Sequence, residues 1–344
     1  GPVSLFMGRF GRRAGFLLGA AAGLLGGGCS ALALYVGRFD LLLLGAGLTG
    51  IFRSTHGYFR FAAADTASEE FKPKAISLVL AGGLLSAFIG PEIVRSTTDA
   101  IDSTPYAGAY LAVIAINVIG SLGLLFLDIP TPPRKKKGEK SGRDLKEIFT
   151  QPKTVVAVIC AMVSYAMMTL VMTSTTLAMT ATGFTTAAAA DVVRWHIIAM
   201  FAPSFFTGAI ISRIGQLRVI TIGLTLLGIA AFISVSGDEV ENFYFALIAL
   251  GLGWNFGFIG ATSLLTTTHT SEEQAKVQGL NDVLVSGLVT IASFGSGAIL
   301  QIYGWEYVQY AMIPALSLAA LAILWLAIKT RRARSIEPNF GGMR

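Results

Sequence analysis

Charged residues are scarce in this sequence. They occupy 13% of its 344 positions, whereas an ordinary soluble domain carries about a quarter. Hydrophobic residues make up 53%, and the mean hydropathy is +0.67. So few charges cannot cover a water-facing globule of 36.3 kDa. The composition therefore excludes a soluble globular protein and favours a chain whose outer surface faces lipid.

Cysteine is also rare, and the residue patterns of common catalytic sites are missing. Both cysteines, Cys29 and Cys160, lie inside apolar runs, which argues against a disulfide framework or a cysteine-based metal cluster. No ATP-binding loop and no nucleophile triad is present in the sequence. We therefore expect no enzymatic activity, no cofactor and no bound metal.

Long apolar runs are abundant. A bilayer-crossing helix needs roughly 20 mostly apolar residues, and the 39 glycines would let such helices pack closely. Ten candidate spans fit this length: 14–36, 41–63, 75–94, 107–127, 154–178, 191–212, 219–236, 242–266, 279–302 and 307–328. The sequence thus predicts an all-α membrane protein.

The lysines and arginines predict the orientation, because they concentrate in cytoplasmic loops. Of the 26, 21 lie on one side of the predicted spans and two on the other, with three inside spans. The richer side, which includes the C-terminus, is predicted to be cytoplasmic. The basic run at 133–143 could bind anionic lipid or nucleic acid, but we interpret it as a solvated linker and expect no nucleic-acid partner.

Two short patterns occur twice at nearly the same spacing. The segment at 8–13 is echoed at 212–218, and the segment at 68–72 is echoed at 271–276. These offsets, 204 and 203 residues, place both pairs in predicted cytoplasmic loops. The repetition predicts a duplication with its seam in the central loop.

The duplication predicts four segments: an N-terminal bundle at 1–128, a basic linker at 129–152, a six-span bundle at 153–330 and a tail at 331–344. The first bundle has four spans where the second has six. We therefore expect this sequence to lack a first helix and most of a second.

The chain resembles the major facilitator superfamily over essentially its whole length, through these repeats and the long basic central loop. The resemblance implies a two-bundle fold of twelve helices, about ten of them present here. It also implies a solute site near mid-membrane between the halves.

The segment at 8–13 resembles the family's G-x-x-x-D-R-x-G-R-R loop. The implied cytoplasmic gate residues are Arg9, Gly11, Arg12 and Arg13, with Arg213, Gly215 and Arg218 in the second copy. Gly8 replaces the family's usual acid, so the latch should borrow another one. Asp282 is our candidate, the alternative being that it caps its helix together with Asn281.

Arg53, His56 and Gly57 resemble the family's R-x-x-Q-G pattern, with histidine in the glutamine position. Arg53, His56 and Arg60 share one face of a continuous helix. Charged groups inside a bilayer usually face an internal cavity, so this stripe predicts contact with an anionic solute or a coupled proton. Arg60 has a second interpretation, in which it snorkels or pairs with Asp65.

Gly90 and Pro91 resemble the motif that bends a helix in the family's antiporters. The glycine pair that should follow is replaced by Ile93 and Val94. Antiport is therefore not favoured over symport. Glu92 could carry a proton, but we interpret it as the partner of Arg95.

The second half carries polar and aromatic groups in the spans that the family places around its cavity. Candidate solute contacts are Tyr165, Thr169, Thr173, Trp254 and Asn255. The alternative is that they only form hydrogen bonds between helices.

The sequence as a whole predicts a secondary active transporter of a small solute by alternating access, with proton coupling through His56 as one option. The alternatives are a facilitative uniporter and a non-transporting membrane sensor or assembly protein. We expect a monomer in a bacterial inner membrane. An aromatic, partly anionic metabolite such as a vitamin would suit Trp254, Phe256 and Arg53.

Overall fold

The computed structural model describes residues 2–101, 104–129 and 142–336, leaving aside the side chains of Pro91 and of 332–336. Every regular element in those ranges is an α-helix, which confirms the predicted all-α class. The chain divides into two compact units. Unit 1 comprises Gly1–Arg143 and His269–Val283, and unit 2 comprises Asp144–Thr268 and Leu284–Arg344.

Unit 1 contains the first seven helices. They are α1 (Pro2–Phe10), α2 (Arg12–Val36), α3 (Phe39–His56), α4 (Phe59–Thr66), α5 (Lys72–Ala81), α6 (Gly83–Thr97) and α7 (Ala107–Leu124). Helix α2 packs closely on α3 and α7 because it presents glycines to both. A β-carbon added at Gly19 would come within 1.9 Å of the Thr55 hydroxyl, and one at Gly23 within 2.2 Å of the Asn117 amide.

Unit 2 contains the remaining helices, except for the first residues of one of them. They are α8 (Leu145–Phe149), α9 (Pro152–Ala181), α10 (Thr186–Phe201), α11 (Ser204–Ile214), α12 (Gln216–Val235), α13 (Val240–Thr266), α14 (Gln274–Tyr303), α15 (Trp305–Tyr310) and α16 (Met312–Ile336). Helix α14 is shared, since its residues up to Val283 belong to unit 1. Sequence reasoning places that segment in the second bundle.

Eight helices in the described ranges are long and apolar enough to cross a membrane. The number is nine if α10 and α11, which meet at a bend of 40°, form one span. The one predicted span that these helices do not account for is 41–63. It is broken, because α3 ends at His56 and α4 begins at Phe59. Half of the predicted linker (130–141) and the end of the tail (337–344) lie outside the described residues.

Helix α6 runs without a break through Gly90 and Pro91. The interruption in this predicted span lies at Gly82, between α5 and α6, so a bend at Gly90 and Pro91 stays a prediction. Glu92 and Arg95 form an exposed ion pair at 2.7 Å, as the structural interpretation of Glu92 anticipates.

Helices α12 and α13 touch through their backbones. A β-carbon added at Gly223 would lie 2.3 Å from the Gly257 nitrogen and 2.8 Å from the Gly253 oxygen. Gly228, on the same helix, has nothing within 4 Å of its added β-carbon. The close approach of the two helices therefore depends on the glycine at position 223, whereas the glycine at position 228 does not contribute to it.

Gly223→Ala is expected to destabilise the protein, because the new methyl group must push two backbones apart. Overpacking of this kind costs about 1–3 kcal/mol. Gly228→Ala, the matched control, should be neutral or slightly stabilising, because alanine is the better helix former. Thermal unfolding in detergent measures both variants, and equal midpoints would contradict the proposed close contact.

Candidate functional site

Four aromatic rings meet inside unit 2: Tyr165 on α9, Phe201 on α10, and Trp254 and Phe258 on α13. We call them the aromatic cluster. Trp254 stacks on Phe258, with ring centroids 5.3 Å apart and planes 17° from parallel. Tyr165 meets both of these rings edge-on, at 5.6 and 5.1 Å, and Phe201 meets Trp254 edge-on at 5.6 Å. Such geometry is favourable beyond simple burial of area.

Trp254 is the centre of this cluster and is only 2% exposed. Its indole nitrogen is buried and has no hydrogen-bond partner within the described ranges. A buried N–H group without an acceptor is unfavourable by about 1–3 kcal/mol. The cluster therefore combines two half-buried rings, Tyr165 and Phe201, with one buried donor that lacks an acceptor.

The Asn255 side chain is fully engaged inside the protein. Its amide nitrogen donates to the Met200 carbonyl and the Ser204 hydroxyl, both at 2.6 Å, and its oxygen accepts from the Thr207 hydroxyl at 2.6 Å. These partners flank the break between α10 and α11, where a helix end leaves carbonyls without intrahelical donors. Asn255 therefore braces that break, and its contact with a solute stays a prediction.

Thr169 and Thr173 follow Tyr165 on α9 at successive turns. All three side chains are half-buried, on a helix whose other faces are almost entirely buried. The structure thus groups Tyr165, Thr169, Thr173 and Trp254 in unit 2, as the sequence predicts, although their contact with a solute stays a prediction.

The helix predicted to carry Arg53, His56 and Arg60 is interrupted, because α3 ends at His56 and α4 begins at Phe59. Gly57 and Tyr58 keep right-handed helical dihedral angles, and the Tyr58 N–H group donates to the Thr55 carbonyl in a tighter turn. Arg53 and His56 are exposed on α3, and Arg53 makes no hydrogen bond or ion pair with any described residue. Arg60 is buried in α4, at 7% exposure.

Arg60 forms a buried ion pair with Asp282 of α14, at 2.8 Å. The Asp65 carboxylate, the alternative partner considered for Arg60, accepts two hydrogen bonds from Arg12, at 2.7 and 3.1 Å. Helix α14 begins at Gln274, so Asp282 lies two turns inside it. The interpretation of Asp282 as a helix cap is therefore wrong.

Arg12, one of the predicted gate residues, pairs with an acid, and that acid is Asp65 and not Asp282. Arg12 is 4% exposed and also donates to Oε1, the side-chain amide oxygen of Gln278 on α14. Its guanidinium lies 5.6 Å from the centre of the Tyr58 ring. The other predicted gate arginines are exposed: Arg9, Arg13, Arg213 and Arg218.

Gly11 and Gly215, the glycines of the two repeated loops, have nearly the same backbone conformation. Their φ and ψ angles are 89° and 162° for Gly11, and 86° and 158° for Gly215. Positive φ favours glycine. Each glycine also donates its N–H group to the carbonyl four residues earlier, at 2.8 Å. The repeat seen in the sequence is thus a repeated turn in the structure.

The missing acid at Gly8 has a packing explanation. A β-carbon added at Gly8 would lie 2.8 Å from the β-carbon of Ala275 on α14. The Ser4 hydroxyl of α1 also donates to the Ala275 carbonyl. Helix α1 therefore packs too closely on α14 for a carboxylate at this position.

Sequence reasoning missed a third ion pair, between Arg143 and Glu273. The Arg143 guanidinium donates to both Glu273 oxygens, at 2.9 and 2.7 Å, and its backbone N–H group donates at 2.8 Å. The Arg143 side chain lowers the pKa of the Glu273 carboxyl far below its usual range, although burial opposes the shift. Glu273 belongs to the repeated segment at 271–276, which was the available signal.

The sequence profile of the Major Facilitator Superfamily matches residues 1–193 and 157–342. The chain belongs to this superfamily. It is therefore a multi-pass membrane transporter and not an enzyme.

Two relatives of this superfamily member extend the comparison. The riboflavin transporter RfnT of Brucella anthropi is 39% identical over 336 residues, covering 96% of this chain and 83% of that protein. The uncharacterized MFS-type transporter YdeG of Bacillus subtilis is 28% identical over 331 residues, covering 90% of this chain and 76% of that protein.

Crystal structures of two transporters share the fold. The E. coli fucose:proton symporter FucP matches with a TM-score of 0.75 at 15% identity, over 94% of this chain and 86% of that one. The human organic anion transporter MFSD10 matches with a TM-score of 0.74 at 14% identity, over 93% and 79%.

Proposed function

We propose that this protein transports riboflavin, or a close flavin analogue, across the membrane by alternating access. The aromatic cluster is the observation that carries the proposal. Riboflavin has a flat tricyclic ring whose faces can stack on aromatic side chains and whose edge bears hydrogen-bond acceptors. Tyr165 and Phe201 are the half-buried rings of the cluster, and Trp254 beside them has a buried N–H group without an acceptor.

The resemblance to RfnT supports the same solute class. It extends over 96% of this chain, so it includes α9, α10 and α13, which supply the aromatic cluster. The fold supports the mode of transport, because secondary transporters of this architecture alternate access to a site near mid-membrane.

We propose that a proton gradient drives uptake. His56 is the candidate coupling group, because it is an exposed imidazole on α3 and lies one helical turn from the exposed Arg53. Histidine is the side chain that ordinarily changes its charge near neutral pH. A uniporter would need no such group.

We also propose that the buried pairs Arg12–Asp65 and Arg60–Asp282 form the predicted cytoplasmic gate. Both are contained in unit 1, and Arg12 and Arg60 each reach the first turns of α14. The exposed arginines Arg9, Arg13, Arg213 and Arg218 would then contribute mainly to orientation, since exposed charges are largely screened by water and salt.

Riboflavin uptake into proteoliposomes that contain the purified protein tests the proposed function. We expect saturable uptake above that of protein-free vesicles, inhibited by excess unlabelled riboflavin and several-fold faster with an inward proton gradient. Uptake that ignores a protonophore would identify a uniporter. Absence of riboflavin uptake by a monodisperse, folded protein would refute the proposal.

A further inference from the structure

Helix α9 is buried on nearly every side by α10, α12, α13, α15 and α16. One stripe is left half-buried, and it includes Tyr165, Thr169, Thr173 and Thr176. Because the helix has 3.6 residues per turn, these four side chains follow one another along a single line. The stripe is the face of α9 that other helices of unit 2 leave accessible.

The three threonine hydroxyls of this stripe have no hydrogen-bond partner in the part of the chain that the structure describes. Neighbouring hydroxyls on the buried faces of α9 behave differently. Ser174 donates to the Leu170 carbonyl at 2.9 Å, and Thr175 donates to the Val171 carbonyl at 2.7 Å. The stripe therefore differs from the rest of its own helix.

Three exposed threonines on other helices satisfy their own hydroxyls. Thr221 and Thr225 on α12 donate to carbonyls four residues earlier, at 2.9 and 3.0 Å, and Thr290 on α14 does so at 2.8 Å. Such bonds are needed where a side chain faces lipid, because hydrocarbon offers no partner. The unbonded hydroxyls of the α9 stripe are therefore available to water or to a solute.

Tyr165, at one end of the stripe, connects the stripe to the aromatic cluster. Its ring belongs to the aromatic cluster, within 5.6 Å of Trp254. Thr169, Thr173 and Thr176 then extend over a further 11 residues of helix from Tyr165, about 16 Å along its axis. Along α9, the ring of Tyr165 is thus followed by three threonine hydroxyl groups that make no hydrogen bond with a described residue.

We infer that Thr169 and Thr173 form a polyol subsite, which binds the open polyhydroxyl chain of the solute while its ring lies at Tyr165 and Trp254. The inference rests on the proposed function and names the part of the solute that each group recognises. Hydroxyl groups suit a polyol because each can both donate and accept. The subsite makes the transporter selective for a flavin that carries its sugar-alcohol chain.

The test compares riboflavin with lumiflavin, which has the same ring but a methyl group in place of the polyhydroxyl chain. In the variant T169V/T173V, we expect the KM for riboflavin uptake to rise about tenfold, as for the loss of two ordinary hydrogen bonds. Lumiflavin uptake should not change. Thr175→Val is the matched control, because it is the same substitution on the same helix at a hydroxyl bonded to its own backbone.

Each outcome has a separate meaning. Suppose that the wild type takes up riboflavin and that T169V/T173V takes up both flavins at the wild-type rates and KM values. This result would overturn the polyol subsite and leave the proposed function standing. An equal loss of uptake for both flavins would also overturn the subsite, since it would show a general effect on folding or turnover. Uptake of neither flavin by the wild type, together with no binding of either in a tryptophan-fluorescence titration, would overturn both proposals.

Discussion

Arg60→Ala and Asp282→Ala are each expected to destabilise the protein by about 3–5 kcal/mol, because each breaks the ion pair and keeps the remaining charge at a largely buried position. The side chains are 8% and 17% exposed, and their contact distance is 2.8 Å. Screening by water and salt is weak at such burial. Thermal unfolding in detergent, followed by loss of monodisperse protein, measures the effect.

A double variant and an exposed pair serve as controls. R60L/D282L should recover much of the loss, because it removes both charges together and fills the space with apolar atoms. Arg95→Ala should change little, because Arg95 and Glu92 form a pair that is 79% and 62% exposed. Equal midpoints for Arg60→Ala and Arg95→Ala would contradict a structural role of the buried pair.

Trp254→Ala is expected to reduce riboflavin uptake at least tenfold. Loss of stacking between an aromatic side chain and a flat heteroaromatic ring is worth about 1–3 kcal/mol, and the indole N–H group is lost as well. The substitution also opens a cavity among Tyr165, Phe201 and Phe258, so the folded fraction must be measured beside uptake.

Trp254→Phe separates the two contributions, because it keeps a ring in the aromatic cluster and removes only the donor. We expect a several-fold rise in the KM for riboflavin with normal thermal stability. Trp325→Phe on α16 is the matched control, since Trp325 is 44% exposed and lies outside the cluster. The same KM in both variants would exclude the Trp254 indole as a riboflavin contact.

The fold was largely predictable because its signals are local or periodic. Apolar runs locate most helices, and the repeated loops anticipate the matching turns at Gly11 and Gly215. The span at 41–63 fails for a local reason. Residues 57 and 58 interrupt the helix, although no proline marks the break.

The partners of buried charges were not predictable in the same way. Arg60 and Asp282 are 222 positions apart, and Arg12 and Gln278 are 266 apart. Spacing within one helix gives no information about contacts at that separation. Asp282 could be selected as an important acid from the sequence, but the arginine that it pairs with could not.

For Asn255, the sequence predicts that the side chain is important but not what it contacts. Its polar side chain in an apolar span is a valid signal of importance, and the sequence cannot distinguish a solute contact from an internal brace. The decision depends on Met200, Ser204 and Thr207, which surround Asn255 only after α10 and α11 have packed on α13.

The burial of Trp254 also has a spectroscopic consequence. The chain has four tryptophans; Trp195 and Trp325 are exposed, and Trp305 donates its indole N–H group to the Ser234 carbonyl. Flavins absorb where tryptophan emits, so a flavin ring in the aromatic cluster would quench Trp254 most strongly. The difference between the emission of the wild type and that of Trp254→Phe then becomes an intrinsic optical signal of occupancy, without any attached label.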